Sequence, residues 1–126
     1  LSEKRLILGK KGEDLATFHL DQLGYRILVR NYRQRYGEID IIAQDRSCIV
    51  FVEVKTRQAG TDFLPAEAVS VKKQRQIARV AQAYLAERRL FDTSARFDVV
   101  SVVIHPDGRP QLEHLTNAFD LPDSGF

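Results

Sequence analysis

The sequence predicts an α/β fold, a mixed β-sheet flanked by helices with its elements in the order α-β-β-β-α-β-β. Three observations carry that expectation. Runs rich in Ile, Val and Phe alternate with polar residues along 37–57 and 95–104, the pattern of half-buried strands. Two longer stretches, 2–23 and roughly 71–89, place apolar residues at helical intervals instead. Short clusters of Gly, Pro, Asp and Ser separate these runs. The chain has 126 residues, enough for one ordinary core and too few for two, so a single domain over 1–126 is expected.

The first helix is assigned to 2–23, with Leu15, Phe18 and Leu23 as its apolar stripe and Gly24 as its stop. "YRILVRNYR" (25–33), "GEIDIIAQ" (37–44) and "CIVFVEVKTR" (48–57) follow as three strands, the last two joined by the polar turn "DRS". Residues 58–65 read as a loop. Ser70 is placed to cap a helix reaching about Arg89, with Ile77, Ala81, Tyr84 and Leu85 on its buried face. "ARFDVVSVVI" (95–104) is a fourth strand, "HPDG" a turn and "QLEHLTN" (111–117) a short fifth strand. Residues 116–126 are expected to be in part a flexible tail.

Composition narrows the chemistry. The single Cys48 lies in an apolar run without Cys or His companions, so neither a disulfide framework nor a thiolate zinc site is available. No apolar run approaches the ~20 residues of a membrane span. A soluble, cytoplasmic protein is expected, with no membrane partner, and with no Met in the sequence the first residue is expected to follow the natural initiator. Net charge is only +2, but its distribution is uneven. Residues 22–36 hold Arg26, Arg30, Arg33 and Arg35 interleaved with Tyr25, Tyr32 and Tyr36, and 70–89 add Lys72, Lys73, Arg75, Arg79, Arg88 and Arg89. Basic clusters interleaved with aromatics can hold a phosphate backbone and stack on bases, although such runs are also common on solvated faces.

The segment "GEIDIIAQDRSCIVFVEVKTR" (37–57) places Glu38, Asp40, Glu53 and Lys55 inside apolar strands, where an unpaired charge is costly. Strand alternation puts Glu38, Asp40 and Ile42 on one face and Ile39, Ile41 and Ala43 on the other. In an antiparallel hairpin, a two-residue Asp45–Arg46 turn makes Asp40 and Glu53 diagonal neighbours on one face, and a four-residue turn makes them face each other; a turn of odd length separates them. Two adjacent carboxylates repel, and one takes a proton unless a cation lies between them. A hard divalent ion such as Mg²⁺ meets that need, and Lys55 beside it can hold water or stabilise charge on a phosphoryl group. The ordinary alternative is a Glu53–Lys55 ion pair with Asp40 capping a turn. His19, His105 and His114 are scattered in sequence and receive no role, and Asp98 with Arg96 reads as a structural ion pair.

An Asp followed by a strand bearing Glu-x-Lys resembles the PD-(D/E)XK nuclease superfamily. More closely, "GKKGEDLA", "LGYRILVRNYR", "GEIDIIA", "FVEVKTR", a Lys-Gln helix start, "RFDVVSV" and "HLTNAF", in that order over nearly the whole chain, resemble the bacterial YraN family, related to archaeal Holliday-junction resolvases. The resemblance implies a restriction-endonuclease-like fold and cleavage of DNA, branched or junction DNA included, with Mg²⁺ or Mn²⁺. Asp40 and Glu53 match the metal-binding acids, Lys55 the catalytic lysine, and Glu13 the acid that related resolvases supply from their first helix. Ile39-Asp40 replaces the Pro-Asp of the superfamily name. Arg30, Arg33, Arg35, Lys72 and Lys73 are the candidate nucleic-acid contacts, with a homodimer left open. The alternative is a non-catalytic nucleic-acid-binding module of the same fold, acting in a DNA-processing assembly.

Overall fold

The structure, a computed structural model, describes residues 3–60 and 69–120. Its elements are α1 (Glu3–Gln22), β1 (Arg26–Gln34), β2 (Gly37–Asp45), β3 (Cys48–Gln58), α2 (Val71–Glu87), β4 (Ala95–Ile104) and β5 (Pro110–Phe119), the order the sequence predicts. The strands form one five-stranded sheet whose spatial order follows the chain, β1-β2-β3-β4-β5. Only β3 and β4 are parallel, since α2 intervenes between them; the other neighbours are antiparallel.

Each face of the sheet carries a helix. Ile41, Ala43, Val50, Val52, Val100 and Val102 pack with Ala16 and Leu20 of α1. Ile42, Ile49, Phe51, Phe97 and Val99 pack with Ile77, Val80, Ala81 and Tyr84 of α2. Burying about twenty apolar side chains in two layers is the main source of stability. The α2 stripe agrees with the sequence expectation, and Ser70 caps the helix by accepting the Lys73 N–H at 3.1 Å. Among the described residues no helix is long and apolar enough to cross a membrane.

The α1 stripe is different from the one expected. Gly12, Ala16 and Leu20 are its buried residues, whereas Phe18 and Leu23 are exposed. The reason is distance: a Cβ at Gly12 would overlap the Thr56 side chain, so α1 lies close against β3 and only small residues fit the near end of its contact face. The β2–β3 turn is also shifted. Arg46 and Ser47 form it, with Arg46 at φ 57°, so that Asp45 faces Cys48 and Ile41 faces Val52. At the other end of the chain β5 runs past the expected end at Asn117 to Phe119, because Asp98 accepts the Asn117 N–H at 2.9 Å and Phe119 stacks on Phe97. Residues 61–65 of the expected loop and 121–126 of the expected tail lie outside the described residues.

Candidate active site at a strand split

The ladder between β2 and β3 ends at Ile41 and Val52, although both strands continue. One position further on, the Asp40 carboxylate takes over: its Oδ2 accepts the Val54 N–H at 2.8 Å. A backbone N–H in a sheet points toward the neighbouring strand, so this carboxyl lies in the gap where a β2 carbonyl would otherwise be. It meets Glu53 there. Asp40 and Glu53 thus converge at a split between diverging strands, rather than side by side on one flat face.

The split has a local cause in β1. Asn31, opposite Asp40 in register, adopts φ 54°, and the strand turns over at this point. Arg30 and Asn31 both reach toward α1, while Tyr32 packs with the α2 layer. β2 follows the same turn, for Ile39 packs with the α2 cluster and Ile41 with the α1 cluster. The simple alternation that puts Ile39 and Ile41 on one face therefore fails here. Asn is the side chain that tolerates this backbone conformation best after Gly.

Burial, followed by the hydrogen bond and negative charge of Glu53, pushes the Asp40 carboxyl up to about 8, against the opposing Val54 N–H and the Lys73 charge. Asp40 is therefore protonated at neutral pH, hydrogen-bonded to Glu53. Glu53 is 7% exposed. Lys73, in the first turn of α2, places its Nζ 3.6 Å from Glu53 Oε2. On the α1 side, Asp40, Lys55, Glu13, Gly9 and Thr56 line one open cavity of about 360 Å³. Among the described residues Lys55 makes no ion pair with a carboxylate, so the Glu53–Lys55 pair of the ordinary reading does not form.

Glu13 approaches from α1 as expected, but its Oε1 is already engaged by Arg30 Nη2 at 2.8 Å, Arg30 Nε at 3.1 Å and Asn31 Nδ2 at 2.9 Å. Among the described residues no three Asp, Glu, His or Cys side chains gather at metal-binding spacing. The donor set still fits a hard divalent ion. Two carboxyl groups meet where a cation would relieve their repulsion, and Mg²⁺ takes its remaining positions from water and phosphate.

The basic candidates separate into different environments. Arg30 is held between Glu13 and Asp14, Arg33 pairs with Glu38 at 2.9 Å, and Lys73 faces Glu53. Arg35 lies over the Tyr36 ring, and Lys72 lines a second cavity with Tyr36, Arg75 and Arg79. Sequence reasoning gave Asn31 no role and read Lys73 as a phosphate ligand. An Asn within a strand run was the available signal for the first; nothing in the sequence pointed to the Lys73–Glu53 contact. The three histidines are not all isolated either. His19 Nε2 lies 3.1 Å from His114 Nδ1, and His114 Nε2 lies 2.8 Å from Asp98 Oδ2, which Arg96 also holds.

Fold and site together define a class of sheet protein that gathers two acids and a lysine where adjacent strands diverge. Comparison with known proteins makes the assignment specific. Residues 12–102 match the uncharacterised protein family UPF0102, the YraN family, and the chain belongs to it. It is 48% identical to a UPF0102 protein of Geobacter sulfurreducens over 95% of this chain and 94% of that relative. A UPF0102 protein of Geobacter metallireducens is 52% identical over 90% of this chain and 93% of its own length. One from Chlorobium phaeobacteroides is 48% identical over 89% and 93% respectively.

Proposed function

We propose that this protein hydrolyses phosphodiester bonds in nucleic acid, DNA foremost and branched or junction DNA in particular. The observation that carries the reading is the meeting of the Asp40 and Glu53 carboxyls in the strand split, with Lys55 lining the same cavity as Asp40. The similarity of "GEID" and "FVEVKTR" to PD-(D/E)XK nucleases supports it. Asp40 and Glu53 would hold Mg²⁺ or Mn²⁺, with Glu13 as a third acid across the cavity. Bound there, the ion would supply positive charge to a phosphate oxygen and lower the barrier to attack by water. Lys55 positions the attacking water or neutralises charge developing on the phosphoryl oxygens. The water oxygen bonds to phosphorus as the bond to the leaving oxygen breaks; the water gives up a proton to solvent and the leaving oxygen takes one from it. Lys73 holds Glu53 by an ion pair at 3.6 Å.

A second reading is a binding module that does not turn over. It is favoured by Glu13, whose Oε1 is taken by Arg30 and Asn31, and by Lys73, which already neutralises Glu53. A panel of duplex, single-stranded, flapped and four-way-junction DNA, plus RNA, incubated with Mg²⁺ and with Mn²⁺ separates the two. The nuclease reading expects cleavage that Asp40→Ala, Glu53→Ala and Lys55→Ala each abolish, with ion binding by calorimetry lost in the first two and kept in the third. No cleavage of any substrate, together with no ion binding in the presence of nucleic acid, would leave the binding module.

A further inference from the structure

The three tyrosines interleaved with arginines at 22–36 have different fates. Arg96 Nη2 donates to Tyr25 Oη at 2.6 Å, and Tyr32 Oη donates to Glu87 at 2.9 Å. Tyr36 remains 47% exposed at the β1–β2 turn. Its ring lies 5.2 Å from the Arg79 guanidinium carbon and 5.9 Å from that of Arg35. Together with Lys72, Arg75 and Arg79 on successive turns of α2, it lines an open cavity of about 450 Å³. Among the described residues none of these four cations, Arg35, Lys72, Arg75 and Arg79, has a carboxylate within ion-pair distance, whereas Arg30, Arg33 and Lys73 each have one. The groove is joined to the acidic split through α2, because Lys73, next to Lys72, reaches Glu53. Gly37 lies beside the helix in a backbone conformation that favours glycine, φ 152°, and a Cβ there would make only ordinary contact, at 3.8 Å, with Gln76 and Val80.

Four unneutralised cations call for a polyanion, and duplex DNA would satisfy them through its phosphates alone. The aromatic ring is the discriminating feature. A tyrosine face offers stacking only to a base that is not already stacked and paired, and such stacking is tolerant of sequence. We infer that the Tyr36 groove binds a single-stranded segment, with Lys72, Arg75 and Arg79 on its phosphates and one unpaired base against the Tyr36 ring. The inference rests on the nucleic-acid reading above and narrows its substrate class: a strand leaves the acidic split unpaired, as at a flap, a gap or an open branch point. Arg79 and Arg35 hold the ring in place until the base arrives and then exchange ring for phosphate.

The test is binding in EDTA, where no cleavage can occur. Fluorescence anisotropy at fixed salt compares labelled 12-mers of oligo-dT and oligo-U with a 12-base-pair duplex, using wild type, Tyr36→Ala, Tyr36→Phe and Arg75→Ala. The groove predicts that wild type prefers single strands over duplex, and that Tyr36→Ala weakens single-strand binding about tenfold. Tyr36→Phe retains it, and duplex binding stays within twofold. Arg75→Ala weakens both ligands. The oligo-dT and oligo-U arms assign the strand to DNA or RNA. Equal loss for single strand and duplex in Tyr36→Ala, or no loss for either with circular dichroism unchanged, would overturn the stacking site. Single-strand preference lost in Tyr36→Ala but no cleavage on the panel would refute the nuclease reading and leave the groove standing. Cleavage without single-strand preference would do the reverse.

Discussion

Replacing Asp40 by Asn should make the ion-free protein more stable at neutral pH. The amide imitates the protonated carboxyl: its oxygen still accepts the Val54 N–H, and its NH₂ still donates to Glu53. In the unfolded chain an Asp ionises near its ordinary value of about 3.9, while in the folded protein burial and Glu53 raise it to about 8. A carboxyl raised on folding favours the folded state fully below its unfolded value, and that contribution is lost as pH rises toward the folded value. At pH 7, holding the proton costs at most about 4 kcal/mol, from roughly three pH units at 1.36 kcal/mol each. Asp40 is only half-buried and keeps part of its hydration, so the expected gain for Asp40→Asn is about 1–2 kcal/mol. Urea unfolding in EDTA at several pH values between 4 and 9 measures it. The two proteins should be equally stable near pH 4, diverge up to pH 8 and run parallel above it. Equal stability at every pH, or a constant loss in Asp40→Asn, would refute the raised Asp40 carboxyl.

Gly12→Ala should destabilise by about 2 kcal/mol or more in thermal unfolding, since its methyl overlaps Thr56 where α1 and β3 are closest. Arg30→Ala should lower the unfolding midpoint because the guanidinium joins Glu13 to Asp14, whereas Lys72→Ala should leave the midpoint unchanged and reduce the salt slope of DNA binding by about one. Burial alone would raise the Asp98 carboxyl, but the hydrogen bonds from His114, Arg96 and the Asn117 N–H outweigh it and hold it below the usual range. Its contribution is therefore complete above about pH 4 and lost as pH falls through the lower folded value; Asp98→Ala should cost about 3 kcal/mol at pH 7 and flatten the acid limb of the stability curve.

Element type and order were legible because strand and helix periods differ and because Gly24, Ser70 and the 105–108 turn punctuate the chain. The α2 stripe could be read directly, since one face of that helix is apolar. α1 misled because Leu6, Ile7 and Phe18, with Leu23 just beyond its end, are exposed while Gly12, Ala16 and Leu20 make the contact. How near a helix lies to a sheet depends on the partner surface, here Thr56, and no local pattern encodes it. The acids were legible as charges misplaced in apolar strands. Their meeting in a split rather than on a face was not, for it depends on the left-handed Asn31 of a third strand. The pairing of Arg30 with Glu13 and of Lys73 with Glu53 is likewise tertiary, so the free cations could not be told from the neutralised ones by counting.

The coincidence of spatial and chain order in the sheet has a kinetic consequence. Every strand pairs with its immediate sequence neighbour, so three of the four pairings are hairpins that close short loops quickly. The parallel β3–β4 junction is the exception, and it must wait for the chain to pass through α2. The β1–β2–β3 meander that carries Asn31, Asp40, Glu53 and Lys55 can therefore form as a local unit before the sheet is complete. The repulsive carboxyl pair is then assembled early, and its cost falls on the folding rate, not only on the stability of the finished protein.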